Sequence, residues 1–133
     1  MEILTLKKRK DFVRVAQKGL KMVTSTVILQ AALNLSAEDD NIYTGYTTTK
    51  KIGKAHIRNR TRRRLRAAVR EIFPAKAKPG ITYILIGRYN TADCDFKHLT
   101  KDLAWGLKKL AKLFDGEGAD NEKPVSEPAD SAG

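Results

Sequence analysis

The sequence predicts an α+β fold in which helices pack on a small mixed sheet, with the elements in the order α-β-β-α-β-α. Apolar residues recur at helical spacing in two segments, 54–73 and 96–114. β-branched and other apolar residues alternate with smaller or polar ones in 23–35 and 42–50, as in half-buried strands. Residues 81–87 are almost entirely apolar, which is typical of a central strand covered on both faces.

The first three elements follow from local patterns. Residues 7–18 predict a short helix with Phe12, Val15 and Ala16 on one side, and Gly19 is its predicted stop. The turn cluster SAEDDN separates the two alternating strands, so we expect those strands to pair as a hairpin.

The second half of the chain is predicted to be a helix, a strand and a helix. One apolar stripe of the 54–73 helix consists of Ile57, Thr61, Leu65, Ala68 and Ile72. Pro74, Pro79 and Gly80 indicate a loop, after which the strand 81–87 is expected to run parallel to one of the earlier strands. We expect the helices to lie on one side of the sheet.

The last helix and the segment after it set the domain boundary. Asp95 is a plausible helix cap, and Leu99, Leu103, Leu107 and Leu110 form the apolar stripe of the helix. Residues 116–133 are rich in Gly, Ala, Pro, Ser and acids, so we expect a disordered acidic tail after a single domain at 1–115.

The charge, the cysteine count and the lengths of the apolar runs limit the classes of function that this chain can have. The net charge of +11 is unevenly distributed along the chain, because residues 115–133 carry −5 and residues 1–114 carry +16. A body this basic attracts polyanions, with nucleic acid the first candidate and an anionic membrane surface the second. One cysteine, Cys94, excludes an internal disulfide and fits a reducing cytoplasm. No signal peptide or membrane-spanning run is visible, so membrane insertion is not expected.

The segment 50–70 carries the strongest functional signal. It holds ten Lys and Arg and no acid, whereas ordinary solvated helix faces mix both signs. Arg62, Arg63, Arg66 and Arg70 fall opposite the apolar stripe, so the helix is expected to dock on the core and present a fixed array of guanidinium groups. Planar guanidinium groups match phosphate oxygens, so the array predicts a backbone-binding surface for nucleic acid.

The stretch KKIGKAHIRNRTRRRLR resembles the signature of the bacterial ribonuclease P protein family. LKKRKDFVRV and ITYILIGR are similar to the family's opening helix and late strand, and the resemblance covers roughly residues 4–113. It implies an RNA interface made by Lys50, Lys51, Lys54, Arg58, Asn59, Arg60, Arg62, Arg63 and Arg66.

The resemblance also implies a function. The family is a cytoplasmic protein partner of a catalytic RNA, and together they cut the 5′ leader from precursor tRNA. The RNA carries the hydrolysis with bound Mg²⁺, and no cofactor is built into the protein. A cleft beside the first helix holds the single-stranded leader, here implied to include Phe12, Arg14, Thr47 and Thr49. The family fold contains an unusual left-handed βαβ crossover.

Four positions depart from the family pattern, and two of them are Tyr46 and Thr44, which stand where the family usually has aliphatic residues. Family members often carry aromatic residues where this chain has Ala16 and Gln30, which leaves Phe12 as the clear stacking platform. The leader cleft is therefore expected to be less aromatic. With no alignment, Phe12 on a short amphipathic helix has a core interpretation as well as a stacking one.

Other reactive residues have ordinary interpretations. His56 and His98 lie in different helices without an obvious partner, so no catalytic pair is predicted. The acids 38–40 lie in a turn, where solvated acids are common, so no metal site is predicted. Trp105 lies off the apolar stripe of its helix, and Gly45 in a strand indicates close packing or a bulge.

Two alternatives remain open at the level of sequence. A structural ribosomal protein would have a similar composition, although basic ribosomal extensions often lack a docked apolar stripe. A DNA-binding helix is less favoured because neither a helix-turn-helix partner nor a dimerisation heptad accompanies the basic helix.

Overall fold

The protein forms a five-stranded mixed sheet with helices on both faces. The structure is a computed structural model, and it describes residues 1–116. The elements in chain order are β1 (Ile3–Thr5), α1 (Arg9–Lys18), β2 (Leu20–Val23), β3 (Val27–Leu33), β4 (Ile42–Thr47), a 3₁₀ helix (Lys50–Ile52), α2 (Ala55–Lys76), β5 (Ile81–Gly87) and α3 (Phe96–Phe114). The predicted tail lies outside the described residues, except for Gly116.

The strand order is β1-β4-β5-β3-β2, so β5 occupies the centre of the sheet as predicted. It pairs parallel to β4 and antiparallel to β3. The predicted hairpin of β3 with β4 is therefore wrong. The almost entirely apolar β5 lies between them because a strand of this kind gains most from neighbours on both edges and cover on both faces.

Two strands were missing from the predicted order. β1 is only three residues long and is held by parallel pairing with β4, where Ile3 lies opposite Ile42. β2 is an edge strand antiparallel to β3. Both are too short to show an alternating pattern, so their pairing partners determine their conformation.

The main core lies between the sheet and the pair α2 and α3. α2 packs over β4 and β5, and α3 packs over β2 and β3. Leu65 of α2 and Leu103 of α3 meet Leu29 and Tyr83 of the sheet in this core. Burial raises the pKa of Tyr83 to about 12, and its ring forms a T-shaped pair with the ring of Phe73.

The helix α1 lies on the opposite face of the sheet, where Val15 packs against Ala32 and Ile84. The expectation that all helices share one side is therefore wrong. Ala32 and Ile84 follow Ala31 and Tyr83 of the main core by one residue each, so their side chains point to the other face. β5 thus has helices on both of its faces, in keeping with its apolar sequence.

The helix boundaries largely follow the sequence. Asp95 caps α3 by accepting a hydrogen bond from the backbone N–H of Lys97, as predicted. Pro74, predicted to begin a loop, instead lies in the last turn of α2, where its missing N–H removes a single helical hydrogen bond. β4, α2 and β5 form a parallel βαβ unit, and the left-handed sense that the resemblance implies stays a prediction.

Candidate RNA interface

The basic surface begins at the turn that leads into α2. Gly53 has φ of 148°, a conformation that residues with a side chain rarely adopt. The guanidinium of Arg58 reaches back and donates a hydrogen bond from Nη1 to the Gly53 carbonyl at 2.7 Å. This bond ties Gly53 to the first turn of the helix, and the Gly53 N–H in turn donates to the carbonyl oxygen of Lys50.

Two further arginines of α2 hold the loop between β5 and α3. Arg60 donates from Nε to the carbonyl oxygen of Ala92 at 2.7 Å. Arg64 donates to the carbonyl oxygen of Cys94 and lies over the ring of Phe96. Burial raises the pKa of the Cys94 thiol, although Arg64 opposes the shift. These arginines therefore bind to the chain itself as well as adding positive charge.

Arg62 connects the helix to the end of β4. Its Nη1 donates to the hydroxyl oxygen of Thr48 at 2.8 Å, and its Nη2 donates to the side-chain oxygen of Asn59. Asn59 thus orients an arginine, a role that its position in the Arg-Asn-Arg stretch did not reveal.

A second group of arginines has outward-facing guanidinium groups. Arg63, Arg66 and Arg70 are exposed, and the Arg66 guanidinium lies 5.2 Å from the centre of the Tyr46 ring. Burial raises the pKa of Tyr46, while Arg66 and Arg70 act in the opposite direction. Stacking on Tyr46 restricts Arg66 and leaves its charge available to a ligand.

No residue of this array forms an ion pair with a carboxylate within residues 1–116; Lys78 pairs instead with Asp115, and Nε2 of His98 lies 3.6 Å from Oδ2 of Asp102. All nine residues of the predicted RNA interface lie in the 3₁₀ helix, at the N-cap of α2 or in α2, and are called the cation array below: Lys50, Lys51, Lys54, Arg58, Asn59, Arg60, Arg62, Arg63 and Arg66. Sequence reasoning did not foresee the internal hydrogen bonds of Arg58, Arg60 and Arg62, because these depend on carbonyls and hydroxyls of other elements.

A cleft of about 520 Å³ lies between α1 and the part of the sheet that α1 leaves uncovered. It is lined by Lys7, Arg9, Phe12, Val13, Ala16, Gln30, Thr47, Ile84 and Ile86. The lining is mostly apolar and includes two cations, Lys7 and Arg9. Ala16 and Gln30, assigned by register to the cleft, both line it.

Phe12 is half-buried, with its ring against the sheet and part of it lining the cleft. Gly45 of β4 makes this position possible, because a Cβ there would lie 2.6 Å from Cε2 and Cζ of the ring. Close packing, and not a bulge, is therefore the reason for glycine in this strand. Phe12 packs on the sheet, as the core interpretation requires, and also lines the cleft, and its stacking role stays a prediction.

Two residues implied for the cleft lie elsewhere. Arg14 projects from another side of α1 and donates from Nη1 to the carbonyl oxygen of Leu33 at 3.1 Å. Thr49 is exposed and precedes the 3₁₀ helix. In their place the cleft contains Lys7 and Arg9, which sequence reasoning left out because they lie at and just before the start of α1.

The cleft and the cation array meet at the end of β4, at the last residue of the strand and the residue after it. Thr47 lines the cleft opposite Ile86 of β5, and Thr48 accepts the hydrogen bond from Arg62. The basic turn begins two residues later, so the apolar floor passes directly into the array of cations. A single strand of nucleic acid that crosses Thr47 would contact both surfaces.

The remaining reactive residues that the structure describes do not form a catalytic arrangement. His98 has partners that the sequence did not reveal, since Nε2 lies 3.2 Å from Oγ of Ser25 and 3.6 Å from Oδ2 of Asp102. Serine and aspartate contact the same ring nitrogen, whereas a catalytic relay needs one on each nitrogen. Asp39 accepts a hydrogen bond from the Tyr43 hydroxyl, which raises the pKa of Tyr43.

Two further properties concern residues 1–116 alone. No group of three His, Cys, Asp or Glu side chains in this part of the chain is placed to hold a metal ion. None of its helices is long and apolar enough to cross a membrane.

Comparison with known proteins finds one family. The model of a family described as Ribonuclease P matches residues 2–111. A ribonuclease P protein component from Paramagnetospirillum magneticum is 41% identical over 126 residues, covering 91% of this chain and 95% of the relative. Another, from Gluconacetobacter diazotrophicus, is 44% identical over 105 residues, covering 78% of this chain and 88% of the relative.

Solved structures are similar in the same way. The RNase P protein of Staphylococcus aureus is 26% identical with a TM-score of 0.67, covering 83% of this chain and 96% of that one. The RNase P protein of Thermotoga maritima has a TM-score of 0.68 at 23% identity, covering 79% of this chain and 96% of that one. The likeness to the second protein concerns the fold alone.

Proposed function

The chain belongs to the bacterial ribonuclease P protein family, and on that premise we propose that it is the RNA-binding protein subunit of ribonuclease P. In this role it assists a catalytic RNA in removing the 5′ leader from precursor tRNA, in the bacterial cytoplasm. The observation that carries the proposal is the junction at Thr47 and Thr48, where a cleft suited to bases meets an array suited to phosphates.

The cation array is the proposed contact with the catalytic RNA. Arginine and lysine gain affinity by displacing the counterions condensed on phosphates. Here Arg58 and Arg62 are held by hydrogen bonds to the chain, so less side-chain entropy is lost when RNA binds. No ion pair within residues 1–116 engages these cations, so they remain available to phosphates.

The cleft is the proposed site of the single-stranded leader. Base faces stack on aromatic rings and rest on apolar side chains, which Phe12, Ile84 and Ile86 provide. Lys7 and Arg9 can pair with leader phosphates. Ala16 and Gln30 offer no ring, so we expect each leader base near them to be held more weakly than the base on Phe12.

The chemistry is proposed to reside in the RNA, with Mg²⁺ held there. The protein's part is to bind, orient and neutralise charge. His98 contacts Ser25 and Asp102 through one nitrogen only, and Asp39 is engaged with Tyr43. Neither arrangement supplies the positioned acid and base that RNA hydrolysis by a protein requires.

Reconstitution tests this function. The full chain is added to a bacterial ribonuclease P RNA at a Mg²⁺ concentration too low for the RNA to act alone, and cleavage of precursor tRNA is followed. We expect cleavage at the mature 5′ end with both components and none with protein alone. The variants His56→Gln, His98→Gln and Glu38→Gln should leave the cleavage step unchanged.

A charge-matched pair of variants makes the test specific. Arg63→Gln with Arg66→Gln should lose the stimulation, whereas Lys18→Gln with Lys76→Gln removes the same charge from exposed positions outside the array and should keep it. Cleavage by RNA-free protein would contradict the proposal. Binding to ribosomal RNA without stimulation of cleavage would favour the ribosomal alternative.

A further inference from the structure

A second basic surface runs along the outer side of α3. Lys97, Lys101, Trp105, Lys108 and Lys112 are spaced four, four, three and four residues apart, which places them on one stripe. The first four are exposed, and Leu99, Leu103 and Leu107 on the opposite side are buried in the core. α3 packs beside α2, so this stripe adjoins the helix that carries the cation array.

The lysine stripe lacks compensating charge within α3. The helix has one acid, Asp102, and this carboxylate accepts hydrogen bonds from the hydroxyls of Ser25 and Thr26 and from the Thr26 N–H. Lysines four residues apart repel each other, and Lys97 lies in the first turn, where the helix dipole disfavours cations. Folding alone therefore gives no reason for this arrangement.

Trp105 lies in the middle of the lysines with 44% of its surface exposed. The ammonium of Lys109 lies 5.7 Å from the centre of its ring. The core contact at this level belongs to Gly106, where a Cβ would lie 2.5 Å from Cδ1 of Leu29. The ring thus stays on the outside of the helix, beside cations, which is the combination that binds unpaired nucleic acid.

We propose that the outer stripe of α3 is a second RNA-binding surface, on which the lysines pair with phosphates and Trp105 stacks on an unpaired base. The inference rests on the proposed function only in taking RNA as the partner. No residue of this stripe belongs to the cation array or to the cleft. The occupant is a single-stranded segment, since a base inside a duplex does not expose its face to an aromatic ring.

Trp105 is the only tryptophan of the chain, so its fluorescence reports on this surface directly. The full chain is titrated with ribonuclease P RNA and with a short unstructured RNA, and the emission is recorded. We expect both to quench the emission, with the quenching reversed by added salt. Vesicles with anionic headgroups should leave the spectrum unchanged.

Variants distinguish the contribution of stacking to RNA affinity from the contribution of charge. The affinity of each variant for RNA is measured by filter binding. Trp105→Ala should weaken binding of the short RNA by roughly 5- to 150-fold, the worth of one stacked base, whereas Trp105→Phe should retain most of the affinity. Lys101→Gln with Lys108→Gln should reduce the salt slope by about 1.5. The control pair Lys18→Gln with Lys76→Gln should leave the slope close to that of the parent chain.

The outcome also distinguishes this surface from the cation array. Unquenched emission at saturating RNA, together with parental affinity of the Lys101 and Lys108 variant, would overturn the second surface. A blue shift on anionic vesicles without quenching by RNA would overturn it in favour of a membrane contact. The proposed function would stand in both cases if Arg63→Gln with Arg66→Gln still lost binding, and would fail separately if it did not.

Discussion

The two faces of the sheet differ in how completely helices cover them. On one face α2 and α3 lie side by side and bury Leu29, Tyr83 and Leu85 almost entirely. On the other face α1 buries Ala32 and Ile84 and leaves Ile86 half-exposed beside an open cleft. The covered face provides most of the core, and the open face keeps apolar side chains within reach of a ligand.

Helix length explains much of this difference. α1 has ten residues and is about 15 Å long, whereas α2 has 22 residues and is about 33 Å long. The shorter helix cannot cover the whole face of the sheet, so a cleft remains between α1 and the uncovered part of the sheet. The comparison teaches that the two proposed RNA contacts differ in kind, because outward cations on a covered face suit phosphates and an uncovered apolar floor suits bases.

The largest expected effect is on the packing of the open face. Gly45→Val would place a branched side chain where even a Cβ lies 2.6 Å from the Phe12 ring and 2.9 Å from Cδ1 of Ile84. We expect a loss of about 3 kcal/mol in the free energy of unfolding, at the upper end of overpacking effects. Urea denaturation measures it, and a stability equal to that of the parent chain would show that the ring moves away freely.

The same variant sharpens the comparison when RNA binding is measured. Conditions are chosen under which the variant remains folded. Because the clash displaces the Phe12 ring, binding of precursor tRNA by the reconstituted enzyme should weaken, while binding of the protein to the catalytic RNA should stay near its parental value. Equal losses in both would contradict the division between the two faces.

Removing the ring itself is expected to have the next largest effect. Phe12→Ala should weaken binding of precursor tRNA by roughly 1–3 kcal/mol, the worth of one stacked base. Binding of mature tRNA, which has no leader, should not change. The measurement is a pair of binding titrations with the reconstituted enzyme.

Phe12→Leu is the matched control for this experiment. Leucine keeps apolar contact with Val15, Ala32 and Ile84 and removes the ring face. It should restore most of the stability that alanine loses and leave the leader affinity low. If leucine restored leader binding as well, packing of α1 and not stacking would be the role of Phe12.

The sequence predicted the well-covered parts of this fold better than the lightly covered ones. The strand 81–87 and the helix 96–114 were predicted with their observed bounds, because burial imposes a clear pattern on each. β1 and β2 were not predicted, since strands of three and four residues show no period. The order of the strands depends on pairings between distant segments, which local patterns do not contain.

The candidate site also has features that local sequence predicts and features that depend on distant segments. The cation array could be read from the composition of one helix, and Phe12 and Thr47 do line the cleft. Arg14 does not line the cleft, because α1 presents different sides to the cleft and to the end of β3, where Arg14 bonds to Leu33. The partners of Arg60 and Arg64 lie about 30 positions further along the chain, beyond the reach of spacing arguments.

A third prediction concerns an arginine that we expect to be mainly structural. Arg64→Gln removes the hydrogen bond to the Cys94 carbonyl and the contact with the Phe96 ring. We expect the free energy of unfolding to fall by about 1–2 kcal/mol, because this bond has a charged donor and is half-buried. Thermal melting measures the loss, and an unchanged melting temperature would mean that the loop before α3 does not depend on Arg64.

The smallest expected effect comes from replacing Arg63, the residue next to Arg64 on α2. This replacement tests the comparison of the two faces most directly. Arg63 is exposed and should act through its charge on RNA alone. Arg63→Gln should leave the melting temperature unchanged and reduce the slope of log affinity against log salt for the catalytic RNA by about 0.7–0.9, the value of one phosphate contact. Arg64→Gln removes the same charge one residue away, so a difference between the two variants reflects position and not net charge. A melting temperature lowered by Arg63→Gln, or an unchanged slope, would mean that the outward arginines of α2 belong to the fold and not to the RNA interface.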